Sequence, residues 1–282
     1  MVWRRILDDV SFQVGNLHCA KGSSGMMNSE LRIWNYALYT RNALRSLSQM
    51  TTDVKNQAVA VSLSLVPYRE AWDIQLRLHT EVADGHKPDT LLIVEHPHVY
   101  TLGRRGQEDD ILVDSAELAR LDVEVHHTDR GGEVTYHGPG QLVGYPILNL
   151  RRWGGGPLKY VRALERVLIE TLAEFGVSAE SEGHPTGVWV EDRKIAAIGV
   201  KVSRRTTTHG FALNVCPNLS YFDHIVPCGM PESRVTSLSL ELGREVVVGD
   251  VAAVLVERFG SVFGLRMEQS FSSPLVDSVA GW

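Results

Sequence analysis

Residues 187–215 read GVWVEDRKIAAIGVKVSRRTTTHGFALNV, and this stretch decides the fold class. It holds three β-type segments, Gly187–Val190, Lys194–Ser203 and Thr207–Val215, each rich in Val, Ile, Thr or aromatic residues. The breaks between them are too short for a crossover helix, so they predict hairpins. Just upstream, Gly154-Gly155-Gly156-Pro157 opens an amphipathic helix running to about Phe175 through Val161, Leu164, Val167, Leu168 and Leu172. Hairpins mixed with crossovers predict an α/β domain built on a mixed sheet.

Working outward, Val59–Leu65 alternates like a strand, and Pro67 opens a helix marked by Trp72, Leu76, His79 and Ala83. Gly85 and Pro88 close that helix, and Leu91–Val94 reads as a buried strand. Ser115 is placed as the cap of a short helix, Val123 and Val125 mark another strand, and a strand runs from Gln141 to Leu150. Asp250 is expected to cap a last helix reaching Phe259, followed by a loose tail.

The composition is that of a soluble protein: 282 residues, 44% hydrophobic and 22% charged, with a formal charge of −6. No apolar run approaches the ~20 residues of a membrane span, and the acidic balance argues against a general nucleic-acid binder. The cysteines are Cys19, Cys216 and Cys228, with no CxxC pair, so neither a disulfide framework nor a zinc site fits and a reducing, cytoplasmic setting is expected. The pairs around Pro97 (His96, His98) and at His126-His127 are not good metal pairs, and no metal is expected. Residues 1–55 carry seven basic and four acidic side chains against the acidic remainder. They read as an appended extension, poorly ordered or a misplaced start, before a catalytic body at 56–267 and a tail at 268–282.

Three segments could carry chemistry. Arg130-Gly131-Gly132-Glu133-Val134-Thr135-Tyr136-His137 continues into Gly138-Pro139-Gly140-Gln141; its glycines let backbone approach a ligand, or it is a turn-rich hairpin with incidental polar groups. It is neither a Walker A loop nor a dinucleotide fingerprint. Lys194 heads an apolar strand, where most lysines reach to solvent, and in an unbroken strand Lys201 points to the opposite face. The third is His209-Gly210-Phe211-Ala212-Leu213-Asn214 followed by Ile225 to Met230; within it Cys228, between Pro227 and Gly229, sits on a turn, which suits either an exposed nucleophile or a packed thiol.

In order and spacing, RGGEVTYHGPGQLVGYPILNL, GVWV with RKIAAIGVKVSR, THGFALN and IVPCGMP resemble the lipoyl(octanoyl) transferases over about Val59 to Leu265. The resemblance implies a fold similar to the catalytic domains of lipoate and biotin protein ligases. It implies an acyltransferase that moves octanoyl from acyl carrier protein to a specific lysine of lipoyl domains and glycine cleavage H protein. No cofactor is expected, and a monomer is. By motif position it makes Cys228 the nucleophile and Lys194 its partner, while Lys201 falls off the family position. It implies an acyl site formed by Arg130 to His137, by Ala197, Ile198 and Gly199, and by Gly210, Phe211 and Ala212. An ammonium beside a thiol of ordinary pKa near 8.5 favours the thiolate, so the pairing is chemically reasonable. His137 is open between orienting or shuttling protons and a structural hydrogen bond. Docking of an acidic carrier would need local basic residues, for which Arg104-Arg105, Arg151-Arg152 and Arg204-Arg205 are candidates. The rivals are an ATP-dependent ligase and a non-catalytic acyl-binding module on the same fold.

Overall fold

The computed structural model of the chain describes residues 56–226 and 234–270. Cys19, Cys228 and the expected extension and most of the expected tail therefore lie outside the described residues. In chain order the elements are β1 (Gln57–Leu65), α1 (Tyr68–Asp84), β2 (Asp89–Glu95), β3 (Val99–Leu102), α2 (Ser115–Arg120) and β4 (Glu124–His127). Then come β5 (Val134–His137), β6 (Gln141–Ile147), α3 (Leu150–Trp153), α4 (Pro157–Glu174), β7 (Val188–Val190), β8 (Arg193–Ser203) and β9 (Thr206–Asn214). The last are β10 (Arg234–Val235), α5 (Leu238–Leu242), α6 (Val248–Phe263) and β11 (Arg266–Ser270).

The main sheet has the order β10-β8-β9-β6-β2-β1-β11, with β7 also paired to β8. Strand β1 runs parallel to β2 and β11, and β10 parallel to β8; the other pairings are antiparallel. The sheet is mixed, as the sequence predicts. A second sheet, β4-β3-β5, stands beside it. Its strands are four residues each and set among polar turns, which is why periodicity passes over β3 and β5.

Alternation along β2 assigns the two faces of the main sheet. Leu92 and Val94 meet Ala71, Ile74, Leu78 and Val82 of α1, together with Val143, Tyr145 and Ala212. Leu91 and Ile93 meet Leu164, Val167 and Leu168 of α4 and Val251, Leu255 and Phe259 of α6, with Phe211 and Leu213 of β9. Each such side chain contributes about 1.5–3 kcal/mol on burial, so the two helical layers fix which face of every strand is which.

Several sequence-based boundaries are corrected. Asp114, not Ser115, caps α2, because its carboxylate accepts from the Glu117 N–H at 2.8 Å. Asp250 lies inside the first turn of α6, which starts after Val247 and continues to Phe263, where Gly264 at φ 66° ends it. The strand from Gln141 stops at Ile147, since the Asn149 side chain accepts from Arg151 N and starts α3. Strand β11 carries the sheet past the expected body boundary to Ser270, pairing with β1. No described helix is long and apolar enough to cross a membrane.

One irregularity matters for the site. Val188 pairs with Ala196 and Trp189 with Lys194, so β8 has one residue more than its partner between those positions, Ile195. This is a β-bulge, and it changes which face the strand presents on either side of it. Beyond it, Ala196, Ile198, Val200 and Val202 pack on the α4/α6 core. Lys194, by simple alternation, would join them; the extra residue places it on the α1 face instead.

Candidate active site

A cavity of about 850 Å³, counting the open space at its mouth, lies on the α1 face of the main sheet. Strands β8 and β9 contribute Lys194, Ala197, Ile198, Gly199, Gly210, Phe211 and Ala212 to its wall. The second sheet and the loop before it contribute Arg130, Gly132, Glu133, Val134, Thr135 and His137. The residues expected to form one acyl site are thus brought together around one cavity. Two are not part of the wall. Tyr136 packs with Tyr100 and Phe222 in the core of the second sheet, its hydroxyl bonded to His98 Nδ1 at 2.8 Å and its ring stacked on Tyr221. Gly131 faces the sheet, donating its N–H to Val200 O at 3.0 Å.

Lys194 is buried, at 7% exposure. Its Nζ lies 4.8 Å from the centre of the Trp189 ring, and its backbone carbonyl accepts from Thr236 N at 3.0 Å. The aliphatic stem runs over Gly187, where an added Cβ would sit 3.4 Å from Lys194 Cε and 2.7 Å from Ala196 O, at φ +142°. Only glycine serves there. Cys228 lies outside the described residues. Phe222 and Val235, on either side of that segment, both line the cavity, and Val235 pairs with Lys194.

Arg130 is a buried cation that ties its loop to β3. Its Nη2 donates to Thr101 O at 2.6 Å, Thr101 Oγ1 at 2.9 Å and Glu133 O at 2.8 Å, while Nη1 donates to Gly131 O at 3.0 Å. The loop can lie against β8 because residue 199 is glycine; a Cβ there would come within 2.8 Å of Gly131 O.

Lys201 has a different task. Its Nζ donates to Asp129 Oδ2 at 2.5 Å, and His209 Nε2 donates to Asp129 Oδ1 at 2.7 Å. His209 is buried in mid-strand at φ 55°, a conformation L-residues rarely adopt, and this turns its ring toward Trp72 of α1. The hydrogen bond from His209, with the Lys201 ammonium, holds the Asp129 carboxyl well below the usual carboxylate range. Burial pushes His209 down in spite of Asp129, so the ring is a neutral donor. Lys194 and Lys201 therefore share a strand face through the bulge, yet only Lys194 lines the cavity.

A polar relay crosses the cavity wall. His137 Nδ1 meets Gln141 Oε1 at 2.7 Å, and Gln141 Nε2 donates to Asn214 Oδ1 at 2.9 Å and to Tyr136 O at 3.2 Å. Asn214 Nδ2 donates to Thr236 O at 3.0 Å. Burial, reinforced by His96, pushes His137 well below the usual imidazole range; burial takes His96 down to about 4 and Tyr68 up to about 12. Gln141, His209 and Asn214, which fall in the segments singled out for chemistry but outside the residues assigned to the acyl site, also line the cavity, as do Tyr68 and Tyr145, which were not expected to. Parity from Ala212 within THGFALN points to Asn214; nothing local announces Tyr68, which the fold brings in from α1.

Of the arginine pairs, Arg104 and Arg105 are exposed on the loop bonded to Arg130 and Gly132, beside the cavity, with Arg105 on Glu133 at 2.8 Å. Arg152 and Arg204 are engaged by Asp89 and Asp84 away from it.

The sequence profile of the lipoyl protein ligase A/B catalytic domain matches residues 67–260. An octanoyltransferase of Gloeobacter violaceus is 48% identical over 213 residues, covering 75% of this chain and 93% of its own. One of Chloroflexus aurantiacus is 50% identical over 207 residues, covering 72% and 93%. Among solved structures, lipoate-protein ligase A bound with ATP superposes with a TM-score of 0.66 at 14% identity, covering 79% of this chain and 92% of that one. A bipartite lipoate protein ligase of Thermoplasma acidophilum gives 0.60 at 15% identity, over 80% and 91%. The structural likenesses establish the fold, and the sequence likenesses the family.

Proposed function

The chain belongs to the octanoyltransferases of the lipoyl protein ligase A/B catalytic domain family, and from that membership we propose the chemistry of its site. The general activity is acyl transfer of octanoyl in protein lipoylation. The proposal concerns how: the donor is octanoyl-acyl carrier protein, Cys228 carries the acyl group, and the acceptor is a specific lysine of lipoyl domains and of glycine cleavage H protein.

The observation that supports this reading most is the placement of Lys194. The bulge at Ile195 turns it into an apolar-walled cavity, and residues on both sides of the Cys228 segment line that cavity. In the first half-reaction the Cys228 thiolate attacks the donor thioester carbonyl. The S–C bond to Cys228 forms, the carrier's C–S bond breaks, and the departing carrier thiolate takes a proton from the Lys194 ammonium. Lys194 is left as a neutral amine. In the second, the acceptor lysine nitrogen attacks the acyl carbon, its proton passes to Lys194, and the Cys228 thiolate leaves. Thiolate and ammonium are restored together. No ATP enters, because each thioester carries the activation forward.

The test is intact mass after mixing the protein with octanoyl-acyl carrier protein without ATP, for wild type and Cys228→Ser. One octanoyl adduct on the wild type alone, lost when a lipoyl domain is added, is the expected result. Transfer appearing only with ATP and free octanoate would replace this reading with the ligase. Transfer unaffected by Cys228→Ser would overturn the role of Cys228.

A further inference from the structure

The relay that starts at Thr236 O determines the tautomer of a histidine in the cavity wall. A backbone carbonyl only accepts, so Asn214 must present its amide nitrogen to Thr236 O and its oxygen to Gln141. Gln141 must then donate from Nε2, which it also does to Tyr136 O, and its oxygen is left facing His137. An amide oxygen only accepts, so His137 carries its proton on Nδ1. Burial, which pushes the imidazole well below its ordinary range, keeps the ring neutral, so Nε2 bears a lone pair. That atom makes no hydrogen bond among the described residues, and His137 lines the same cavity as Lys194. The ring cannot turn over without breaking the bond to Gln141, and it is wedged between Tyr68, stacked at 5.9 Å, and His96, edge-on at 5.8 Å.

A fixed acceptor in such a wall has no match in the octanoyl chain or the thioester group itself, which carry no N–H or O–H. The donor that must arrive at the reacting carbon in the second half-reaction is the amine of the acceptor lysine. Resting on the acyl-enzyme reading above, we propose that His137 Nε2 accepts a hydrogen bond from the incoming lysine amine and orients its nitrogen lone pair at the acyl carbon. The amine then offers one N–H to His137 and loses another proton to Lys194. His137 acts in the second half-reaction, and Gln141 and Asn214 are positioning residues that act through it. Geometry of this kind contributes to rate by holding a near-attack arrangement.

The experiment separates the half-reactions by single-turnover intact mass. Wild type and His137→Phe, which keeps the stacked ring and removes both nitrogens, are loaded with octanoyl-acyl carrier protein and then mixed with a purified lipoyl domain. The expected result is that the ratio of transfer rate to loading rate falls about tenfold or more in His137→Phe. Gln141→Met is the second variant, should the first not fold. It is expected to lower the same ratio, and two-bond 1H–15N spectra should show His137 Nδ1-protonated in the wild type and mixed in the variant. A ratio equal to that of the wild type overturns the proposal, as does a loss falling mainly on loading, which would make His137 a contact for the donor arm. Absence of any adduct on the wild type would instead overturn the acyl-enzyme reading on which the proposal rests.

Discussion

Replacing Gly187 by alanine should disable the site from beneath Lys194 without touching a reacting group. The new methyl carbon would lie 2.7 Å from Ala196 O, well inside contact distance, and 3.4 Å from Lys194 Cε, at a backbone φ of +142°. Strain of that backbone class costs about 1–3 kcal/mol, and relieving the carbonyl contact adds to it, for a total of about 2–4 kcal/mol. At about 2–4 °C per kcal/mol for a domain of this size, the melting temperature should fall by roughly 5–15 °C. The lysine stem must also shift, lifting Nζ from the Trp189 ring, so the rate of octanoyl adduct formation should drop about tenfold or more at a temperature where the variant is folded. Gly183→Ala is the control: its φ is +79°, but nothing lies within 4 Å of the added carbon. It should lose about 1–2 kcal/mol from strain alone and keep its rate. Equal rates in Gly187→Ala and wild type, or equal losses in both alanine variants, would refute the claim that Gly187 seats Lys194.

Further outcomes follow from the same geometry. Lys194→Met should lower the adduct rate at neutral pH about a hundredfold, and the residual rate should climb up to about pH 8.5 as an unassisted thiol ionises; a flat profile read by intact mass would contradict this. Asp129→Asn should flatten the acid side of the stability curve. The folded carboxyl titrates below its unfolded value of about 3.9, so its contribution is present above that pH and is lost as pH falls through the folded value. Melting temperatures across the acid range check it, and a variant that keeps the wild-type acid slope would count against the assignment. Ala197 and Ala212 pair across β8 and β9 in the cavity wall. Ala212→Leu should therefore shift preference from octanoyl toward shorter donors by about tenfold in competition assays, with overpacking costing about 1–3 kcal/mol.

The mixed sheet was legible because strand and helix periods are strong over long segments such as α4 and β9, and the family motifs pointed to one cavity that the fold does assemble. What stayed hidden was hidden for physical reasons. In an unbroken strand Lys194 and Lys201 would stand on opposite faces. Ile195 and Ala196 are both apolar and both buried, so no hydropathy pattern betrays the extra residue. His209 gives no sign of its positive φ, because the conformation is imposed by Asp129 and Gln75, residues 80 and 134 positions away in sequence. The cavity role of Tyr68 depends on where α1 docks, a tertiary fact with no local signature.

The Ile195 bulge divides β8 into two segments that are out of phase with each other. The segment beyond it answers to the helical core, and the segment before it answers to the cavity. Substitution cannot interchange these duties; only a change in residue count can. A one-residue deletion there would send Lys194 toward oil while leaving its identity intact, and a compensating insertion nearby would bring it back. The place of Lys194 in the cavity wall is specified as much by the length of the chain as by the choice of amino acid.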